Sequence, residues 1–211
     1  MTIEINQKFR MKLRNACITS AQSYNRLINK NFLIITENNE IFEIVFNRSD
    51  FVHLTGIKFN LPDIEVYQKS VKSLLSEKNI NLMQKYNKNT IKNKIKSFQS
   101  IDKMIYSDVQ DTLFLKILKT NTYTFPIGIR NDKKNTAIGF LGKDCHARTL
   151  RKARTSTNTK EELRIIAIFE KVKSASQYEK IVYVKNRREL NNSIDKTKKL
   201  SKELEDKLFN K

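Results

Sequence analysis

The stretch FLIITENNEIFEIVFNRSDFVHLTGI, residues 32–57, decides the fold that the sequence predicts. Two apolar runs, FLII and IFEIVF, are separated by residues 37–40 (Glu-Asn-Asn-Glu), and asparagine tolerates the positive φ that a tight turn requires. We therefore predict a β-hairpin. Ser49 is typical of a helix start and Gly56 of a helix stop, so one short helix should follow, with His53 near its C-terminal end.

The segments on either side of this stretch have helical patterns. Residues 4–30 place most of their apolar side chains near one helical stripe, and residues 64–119 are also mainly helical. Between Ile91 and Ile105, apolar residues recur at steps of four, three, three and four, which is typical of an amphipathic helix. The run TLFLKILK, residues 112–119, fits a helix or a strand equally well.

The last third of the chain returns to strand patterns. Residues 120–142 predict a second hairpin that turns at Asn131 and Asp132. Residues 163–172 and 178–186 predict two further strands, and residues 190–210 a final helix. The sequence therefore predicts an α+β fold, with an antiparallel sheet of about four to six strands, helices on one face of it, and N- and C-terminal helices.

This order of elements predicts how the chain divides. We expect a single domain over residues 1–190, with a helical insertion at 64–119. Residues 191–211, rich in lysine and glutamate, should form a separate C-terminal helix.

The charge balance limits the class of partner. The 211 residues contain 41 Lys and Arg against 22 Asp and Glu, a net charge of +19. Such a charge repels itself in a compact state, so we expect an anionic partner, and nucleic acid is the first candidate. An anionic membrane or an acidic protein also fits, and the many Asn, Ile and Lys residues leave an AT-rich genome as a further explanation.

The sequence lacks the motifs of several functional classes. With four glycines, the chain has neither a P-loop nor a dinucleotide-binding fingerprint. Cys17 and Cys145 make no disulfide framework, and together with two histidines they make no zinc-ligand spacing. Asp108 and Asp111 could share a helix face and hold a divalent ion, but such pairs are more often capping or surface residues. We therefore expect no metal and no cofactor.

The location follows from what the sequence lacks. No apolar run approaches the ~20 residues that cross a bilayer, and the start MTIEINQKFR has no apolar segment of a secretory signal. We expect a cytoplasmic protein that does not bind a membrane.

Four segments resemble the Barnase–EndoU–Colicin–RelE superfamily of metal-independent ribonucleases, in particular its groups borne by phages and mobile elements. They are the first hairpin followed by DFVHLTGI (50–57), NTAIGFLG (135–142), ARTLRK (147–152) and the late strand pair at 165–184. Together they span about residues 30–185. The resemblance implies RNA cleavage by a toxin or effector of a mobile element.

The chain departs from the superfamily pattern before the arginine of ARTL, and it offers few histidines for the catalytic pair. ARTL stands where a proline is expected before the arginine. Several groups of the superfamily use two histidines, and here the available pair is His53 and His146.

Metal-free RNA cleavage requires a base for the 2′-hydroxyl, an acid for the 5′-oxygen, and cations for the charge that develops on the phosphate. Histidine suits the proton transfers because its reference pKa is about 6.5, and arginine suits the phosphate through its planar fork. The candidate catalytic residues are His53, Thr55, His146, Arg148, Thr149 and Lys173. The alternatives are a structural histidine at residue 53 and a solvated basic loop around residue 148.

Other basic residues are candidates for nucleic-acid binding. Lys85, Lys88, Lys92 and Lys96 recur at steps of three and four, so they share a helix face along which phosphates could lie. The remaining candidates are Lys58, Arg151 and Lys152. The alternative is that the helix face is merely solvated.

Three hypotheses follow for function. The first is a metal-independent endoribonuclease that acts on RNA, with DNA left open, and produces a cyclic phosphate. The second is a non-catalytic nucleic-acid-binding or inhibitor protein of a mobile element with a nuclease-like fold. The third adds a partner, either an acidic antitoxin or immunity protein or a host nucleic-acid machine. The sequence leaves the oligomeric state undecided.

Overall fold

The computed structural model describes residues 7–81, 88–153, 157–187, 189–190 and 199–209. The helices are α1 (Gln7–Asn25), α2 (Asp50–Thr55), α3 (Asp63–Val71), α4 (Lys88–Phe98), α5 (Lys103–Tyr106) and α6 (Lys202–Phe209). The strands are β1 (Lys30–Thr36), β2 (Ile41–Val45), β3 (Lys58–Phe59), β4 (Ile80–Asn81), β5 (Thr112–Thr120), β6 (Thr124–Asn131), β7 (Thr136–Leu141), β8 (His146–Arg151), β9 (Thr157–Val172) and β10 (Lys180–Val184).

The opening hairpin and the short helix after it are confirmed. Strands β1 and β2 pair antiparallel with Phe32 opposite Ile44, and Asn39 in the turn has φ 63°. Helix α2 follows and ends at Gly56, which is left-handed with φ 68°. Both elements were predictable because their signals are local.

Seven of the described strands close into a mixed barrel, so the predicted open antiparallel sheet of four to six strands was wrong. The order around the barrel is β1, β2, β8, β7, β6, β5 and β9, and β9 pairs again with β1. Strand β10 attaches to β9 outside this ring. Strand β2 runs parallel to β8, and the other pairs are antiparallel.

Closure depends on contacts between residues that are far apart in sequence. The first part of β9 pairs with β5, with Arg164 opposite Leu113, and the second part pairs with β1, with Ile168 opposite Ile34. No local sequence pattern predicts such long-range strand pairings. The run that fitted helix or strand equally well is strand β5, and the predicted helix through Ile105 is interrupted after Phe98.

Helices also cover more than one face of the sheet. Phe32 and Ile34 of β1 enter the main core cluster, which contains residues of α1 to α5. Leu33 and Ile35 point the other way into a second cluster that Leu204 and other residues near α6 cover. The expectation of helices on one face was therefore wrong, and the reason is visible in FLII, a continuous apolar run of a strand buried on both sides.

The proposed division at residue 190 stays a prediction. Residues 191–198 lie outside the described ranges. Within those ranges, no helix combines the length and apolar character needed to cross a bilayer.

The parallel contact between β2 and β8 fixes the location of the candidate site. Val45 at the end of β2 pairs with His146 at the start of β8. The chain then continues through Asn47 into α2, which packs against β8. This junction places the histidines that the sequence singled out in the same region.

Candidate active site

A β-bulge at Arg148 arranges the basic side chains of β8. Ala147 and Thr149 pair with consecutive residues of β7, so Arg148 is an extra residue in the ladder. Ala147 and Leu150 both enter the main core although they are three residues apart, which a regular strand would place on opposite faces. The bulge resolves this conflict by re-aiming the strand.

The bulge leaves the polar residues of β8 outside the core. His146, Arg148 and Arg151 are partly exposed, and Thr149 is buried in the wall of a cleft. Gly139 lies opposite Thr149, where a Cβ would come within 2.9 Å of the threonine methyl group. Gly139, the first glycine of NTAIGFLG, thus allows Thr149 and its strand to pack closely.

Asp50, the first residue of α2, joins several candidates in one cluster. Its carboxylate lies 3.7 Å from Nδ1 of His146 and 3.7 Å from Nη1 of Arg148. The side-chain nitrogen of Asn47 lies 3.4 Å from Nδ1 of His146, and Lys173 donates to the Asn47 oxygen at 3.5 Å. The structure therefore brings His146, Arg148 and Lys173 around two residues that the sequence analysis did not include in the site.

Asp50 is an unusual group to bury. It is 1% exposed, and its Oδ2 atom has no hydrogen-bond partner among the described residues. Burial raises the pKa of this carboxyl, while His146, Asn47 and Arg148 act in the opposite direction. A buried carboxylate oxygen without a hydrogen-bond partner is rare in folded proteins.

A cleft of about 360 Å³ lies beside this cluster. Residues of α2, α3, α4 and β8 line it together with the chain after α2. The polar residues of the lining are His53, Lys58, Asp63, Lys94, Thr149 and Arg151. This surface is called the His53 cleft below.

His53 faces the cleft as an exposed side chain of α2. Its pKa is lowered, first by the part of the ring that packs away from water, and then by the charges of Arg148 and Lys94. Asp63 opposes the shift. The imidazole is therefore neutral at neutral pH and able to accept a proton.

Arg148 connects the Asp50 cluster with the His53 cleft. Its guanidinium lies near Asp50, and its charge acts on His53. Asp50 and His53 are three residues apart on α2, so they lie on one side of that helix. The two histidines and Arg148 thus border a common region.

Lys94 is a residue of the cleft that the sequence analysis missed. Burial lowers its pKa to about 8, and the charge of Arg151 adds to the effect. The signal was its place in α4. Lys94 follows the buried Ile91 by three residues and precedes the buried Phe98 by four, which puts it at the edge of the apolar face, whereas Lys92 and Lys96 are exposed.

Thr55 lies apart from the cleft lining. The residue is fully buried, and its hydroxyl donates to the carbonyl of Val52 at 2.7 Å. The same oxygen accepts a bond from the backbone N–H of Ile57 at 3.1 Å. Both bonds hold the end of α2 in place, so Thr55 supports the local backbone and is not presented to a substrate.

The candidate nucleic-acid-binding residues separate into different places. Lys58 and Arg151 line the His53 cleft, and Arg151 also donates to the Thr122 hydroxyl at 3.1 Å. The Lys92 ammonium lies 5.9 Å from the centre of the Phe9 ring. Lys85 and the side chain of Lys88 lie outside the described residues.

Lys96 and Lys152 line a second cleft of about 370 Å³, together with Lys133 and Lys134. This surface is called the lysine cleft below. Lys133 forms an ion pair with Asp111 at 2.8 Å, and Lys134 forms one with Asp108 at 3.5 Å. The acidic pair considered above as a metal site is thus engaged by lysines.

The comparisons with known proteins give one family. The family model described as phage-Barnase-EndoU-ColicinE5/D-RelE like nuclease 4 matches residues 18–187. No similar curated protein and no similar solved structure was found. The matched range includes both histidines, Lys94 and all of β8.

Proposed function

We propose that this chain, which belongs to the family of phage-Barnase-EndoU-ColicinE5/D-RelE like nucleases 4, is a metal-independent endoribonuclease. The family match confirms the resemblance drawn from HLTG and the later segments. Membership makes the chain a phage-associated nuclease with a nucleic-acid substrate. The proposal adds RNA as the substrate, cleavage to a cyclic phosphate, and a role as the toxin or effector of a mobile element.

The observation that carries this proposal is the environment of His53. A neutral imidazole faces a cleft that Lys94 and Arg151 line, and the charge of Arg148 also acts on it. A base beside several cations fits the cleavage of a phosphodiester, because the base takes a proton while the cations stabilise the growing negative charge.

The proposed reaction assigns each proton. His53 accepts the proton of the 2′-hydroxyl, and the 2′-oxygen attacks phosphorus to form the cyclic phosphate. The P–O5′ bond breaks, and His146, acting as the general acid, gives a proton to the leaving oxygen. Arg148 holds the phosphate oxygens between the two imidazoles, and Asp50 keeps His146 oriented from 3.7 Å away.

The other candidates have supporting roles in the proposal. Thr149 and Arg151 form the cleft wall beside the phosphate, and Lys58 binds the substrate at the edge of the cleft. Lys173, linked to His146 through Asn47, adds positive charge near the second imidazole. Thr55 is omitted because its hydroxyl is used within α2.

The test is cleavage of a fluorescent RNA by the purified protein in EDTA. We expect the wild type to cleave and His53→Ala to lose about 10²–10⁴-fold in rate, as removal of a general base does. Mass spectrometry should show a 2′,3′-cyclic phosphate, and a substrate with a 2′-O-methyl group at the cut should resist. Lys12→Met, at an exposed position of α1, is the control. Equal background from wild type and His53→Ala would rule out this function.

The second candidate is binding of nucleic acid without cleavage, as an inhibitor encoded by a mobile element would do. The lysine cleft favours it, because Lys96 and Lys152 line it beside the ion-paired Lys133 and Lys134 and it contains no histidine. This candidate predicts salt-dependent binding that His53→Ala leaves unchanged. An acidic antitoxin, an immunity protein or a host machine would be a further partner in either case, and growth arrest that requires His53 would favour the enzyme.

A further inference from the structure

Lys94 places a cation among other cations. It reaches the His53 cleft from α4, where Arg151 of β8 and His53 of α2 are its neighbours. Among the described residues, no carboxylate or carbonyl forms a hydrogen bond or ion pair with its ammonium group. Asp63 of α3 is the carboxylate in the cleft lining, and it forms no ion pair with Lys94 although both residues are described.

A half-buried cation without an anion is costly to the fold. Proteins normally pair such groups or leave them in water. Here the unmatched charges of Lys94 and Arg151 meet in an open cleft of about 360 Å³, which has room for a phosphodiester. The arrangement is that of an anion site whose anion comes from outside the chain.

Gly56 lies against the Lys94 side chain. A Cβ at this position would lie 2.9 Å from Cδ and 3.0 Å from Nζ of Lys94, so the lysine side chain would have to shift. The residue also has φ 68°, which L side chains rarely adopt. The glycine of HLTG therefore ends α2 and at the same time leaves space for the Lys94 ammonium.

We propose that Lys94 and Arg151 bind the scissile phosphate of the nucleic acid, which makes Lys94 a catalytic residue in direct contact with the substrate. This inference rests on the proposed function in so far as the same cleft is the active site. It adds the subsite of the phosphate and a residue that the sequence motifs do not contain.

The protonation of Lys94 then controls the affinity for substrate. Its pKa is lowered to about 8, so the ammonium form prevails near neutral pH and is lost in the mildly alkaline range. The other groups that face it are His53, Lys58, Asp63 and Arg151. Among these, His53 is already neutral above its lowered pKa, and it therefore does not mask the loss of the Lys94 charge.

The experiment measures binding separately from cleavage. The probe is a fluorescent single-stranded RNA with 2′-O-methyl groups throughout, followed by anisotropy at about pH 7 and about pH 9.5. At the lower pH, Lys94→Met should weaken binding about 10-fold or more, as loss of a charged hydrogen bond does. Lys12→Met, with the same change in net charge on the exposed face of α1, should weaken it less than about 2-fold.

Two further comparisons isolate the charge. At the higher pH, the wild type should approach the affinity of Lys94→Met, since both then lack the charge. Lys94→Arg keeps its charge at both values and should bind almost independently of pH. Circular dichroism of each variant confirms that it is folded, and Lys94→Gln provides a polar replacement if the methionine variant aggregates.

The results separate this inference from the proposed function. If the wild type cleaves RNA and Lys94→Met binds and cleaves like Lys12→Met, the phosphate subsite is wrong and the nuclease stands. If the wild type cleaves nothing but affinity follows the charge of Lys94, the subsite stands and the ribonuclease proposal fails. Equal affinity of all variants at both pH values overturns the inference.

Discussion

At the scale of single residues, His53 depends on its neighbours for its chemistry. Protonation removes the lone pair that a base needs, so activity should fall as the pH drops through the pKa of His53. Burial and the charges of Arg148 and Lys94 lower that pKa from 6.5, which places the fall below pH 6.5. The sequence identified the histidine, but only the fold supplies the burial and the cations that lower its pKa.

The first prediction is a shift of this acid limb. Lys94→Met removes one of the positive charges that lower the pKa of His53, so the midpoint of the acid limb should move to higher pH. The measurement is kcat/KM for RNA cleavage between about pH 4.5 and 7.5. Lys12→Met should keep the wild-type midpoint. An unchanged or lower midpoint in Lys94→Met would mean that the two side chains do not interact.

The second prediction concerns stability, also through Lys94. Its pKa is 10.5 in an unfolded chain and about 8 in the folded one, so the folded state binds fewer protons between these values. Stability should therefore rise with pH across this window, and below about pH 8 the buried charge is a full penalty. At pH 7, Lys94→Met should raise the free energy of unfolding by about 1–3 kcal/mol.

Urea unfolding checks this stability prediction. The difference between Lys94→Met and wild type should shrink as the pH is raised from about 7 to about 10. Lys12→Met, at an exposed lysine, should change stability by less than about 0.5 kcal/mol. A variant with less activity and more stability is the pattern expected of a functional group kept at the expense of the fold. Destabilisation by Lys94→Met at pH 7 would contradict this account.

At the scale of the elements, local signals predicted local structure. The hairpin of β1 and β2, helix α2 and the αL position of Gly56 follow from turn and capping residues within a few positions of each other. Strand β8 has no such signal. It is a strand because β7 and the parallel end of β2 flank it, and neither pairing can be read from HARTLR, for which a solvated basic loop was the alternative interpretation.

The candidate site, like the fold, was predicted only in part. His53 and Arg148 were chosen from the segments that resemble the superfamily and His146 by chemical type; the fold brings them to one region, although their catalytic roles stay a prediction. Asp50 was missed because a helix-start aspartate normally faces water, whereas here it is buried beside β8. Thr55 was included because the sequence cannot tell an inward-facing hydroxyl from an outward-facing one.

The third prediction tests helix α6, which lies outside the matched range of the family. Leu204 is 2% exposed in the cluster that covers the outer face of β1, so Leu204→Ala should cost about 2–5 kcal/mol. RNA cleavage below the melting temperature should be unchanged, because α6 lines neither cleft. Phe209→Ala, at a side chain 39% exposed on the same helix, is the control and should cost far less. A stability loss equal to that of the control would show that α6 does not cover this core.

At the scale of the whole molecule, the two clefts share their walls. Lys94 on α4 faces the His53 cleft, and Lys96 on the same helix faces the lysine cleft. Arg151, the last residue of β8, likewise faces the His53 cleft, and its neighbour Lys152 faces the lysine cleft. Under the proposed function, a chain of phosphates that binds at the first cleft would be directed toward the second, and part of the +19 charge would act along that path.

The fourth prediction is that the lysine cleft holds the substrate away from the chemistry. The double variant Lys96→Gln/Lys152→Gln should raise KM for a long RNA and leave kcat nearly unchanged, because neither residue lines the His53 cleft. Binding should also depend less on salt. For single strands each lost phosphate contact lowers the slope of log K against log salt by about 0.7, so two contacts lower it by about 1.4.

The matched control for this prediction is Lys12→Gln/Lys103→Gln, which removes the same charge from exposed positions on α1 and α5. If binding depended only on net charge, the slope of log K against log salt would fall by the same amount in both double variants. A path between the clefts requires a clearly larger loss for Lys96 and Lys152, and the difference should disappear with an RNA of two nucleotides, which is too short to leave the His53 cleft. Equal slopes for the two double variants on long RNA would reduce the lysine cleft to a solvated surface.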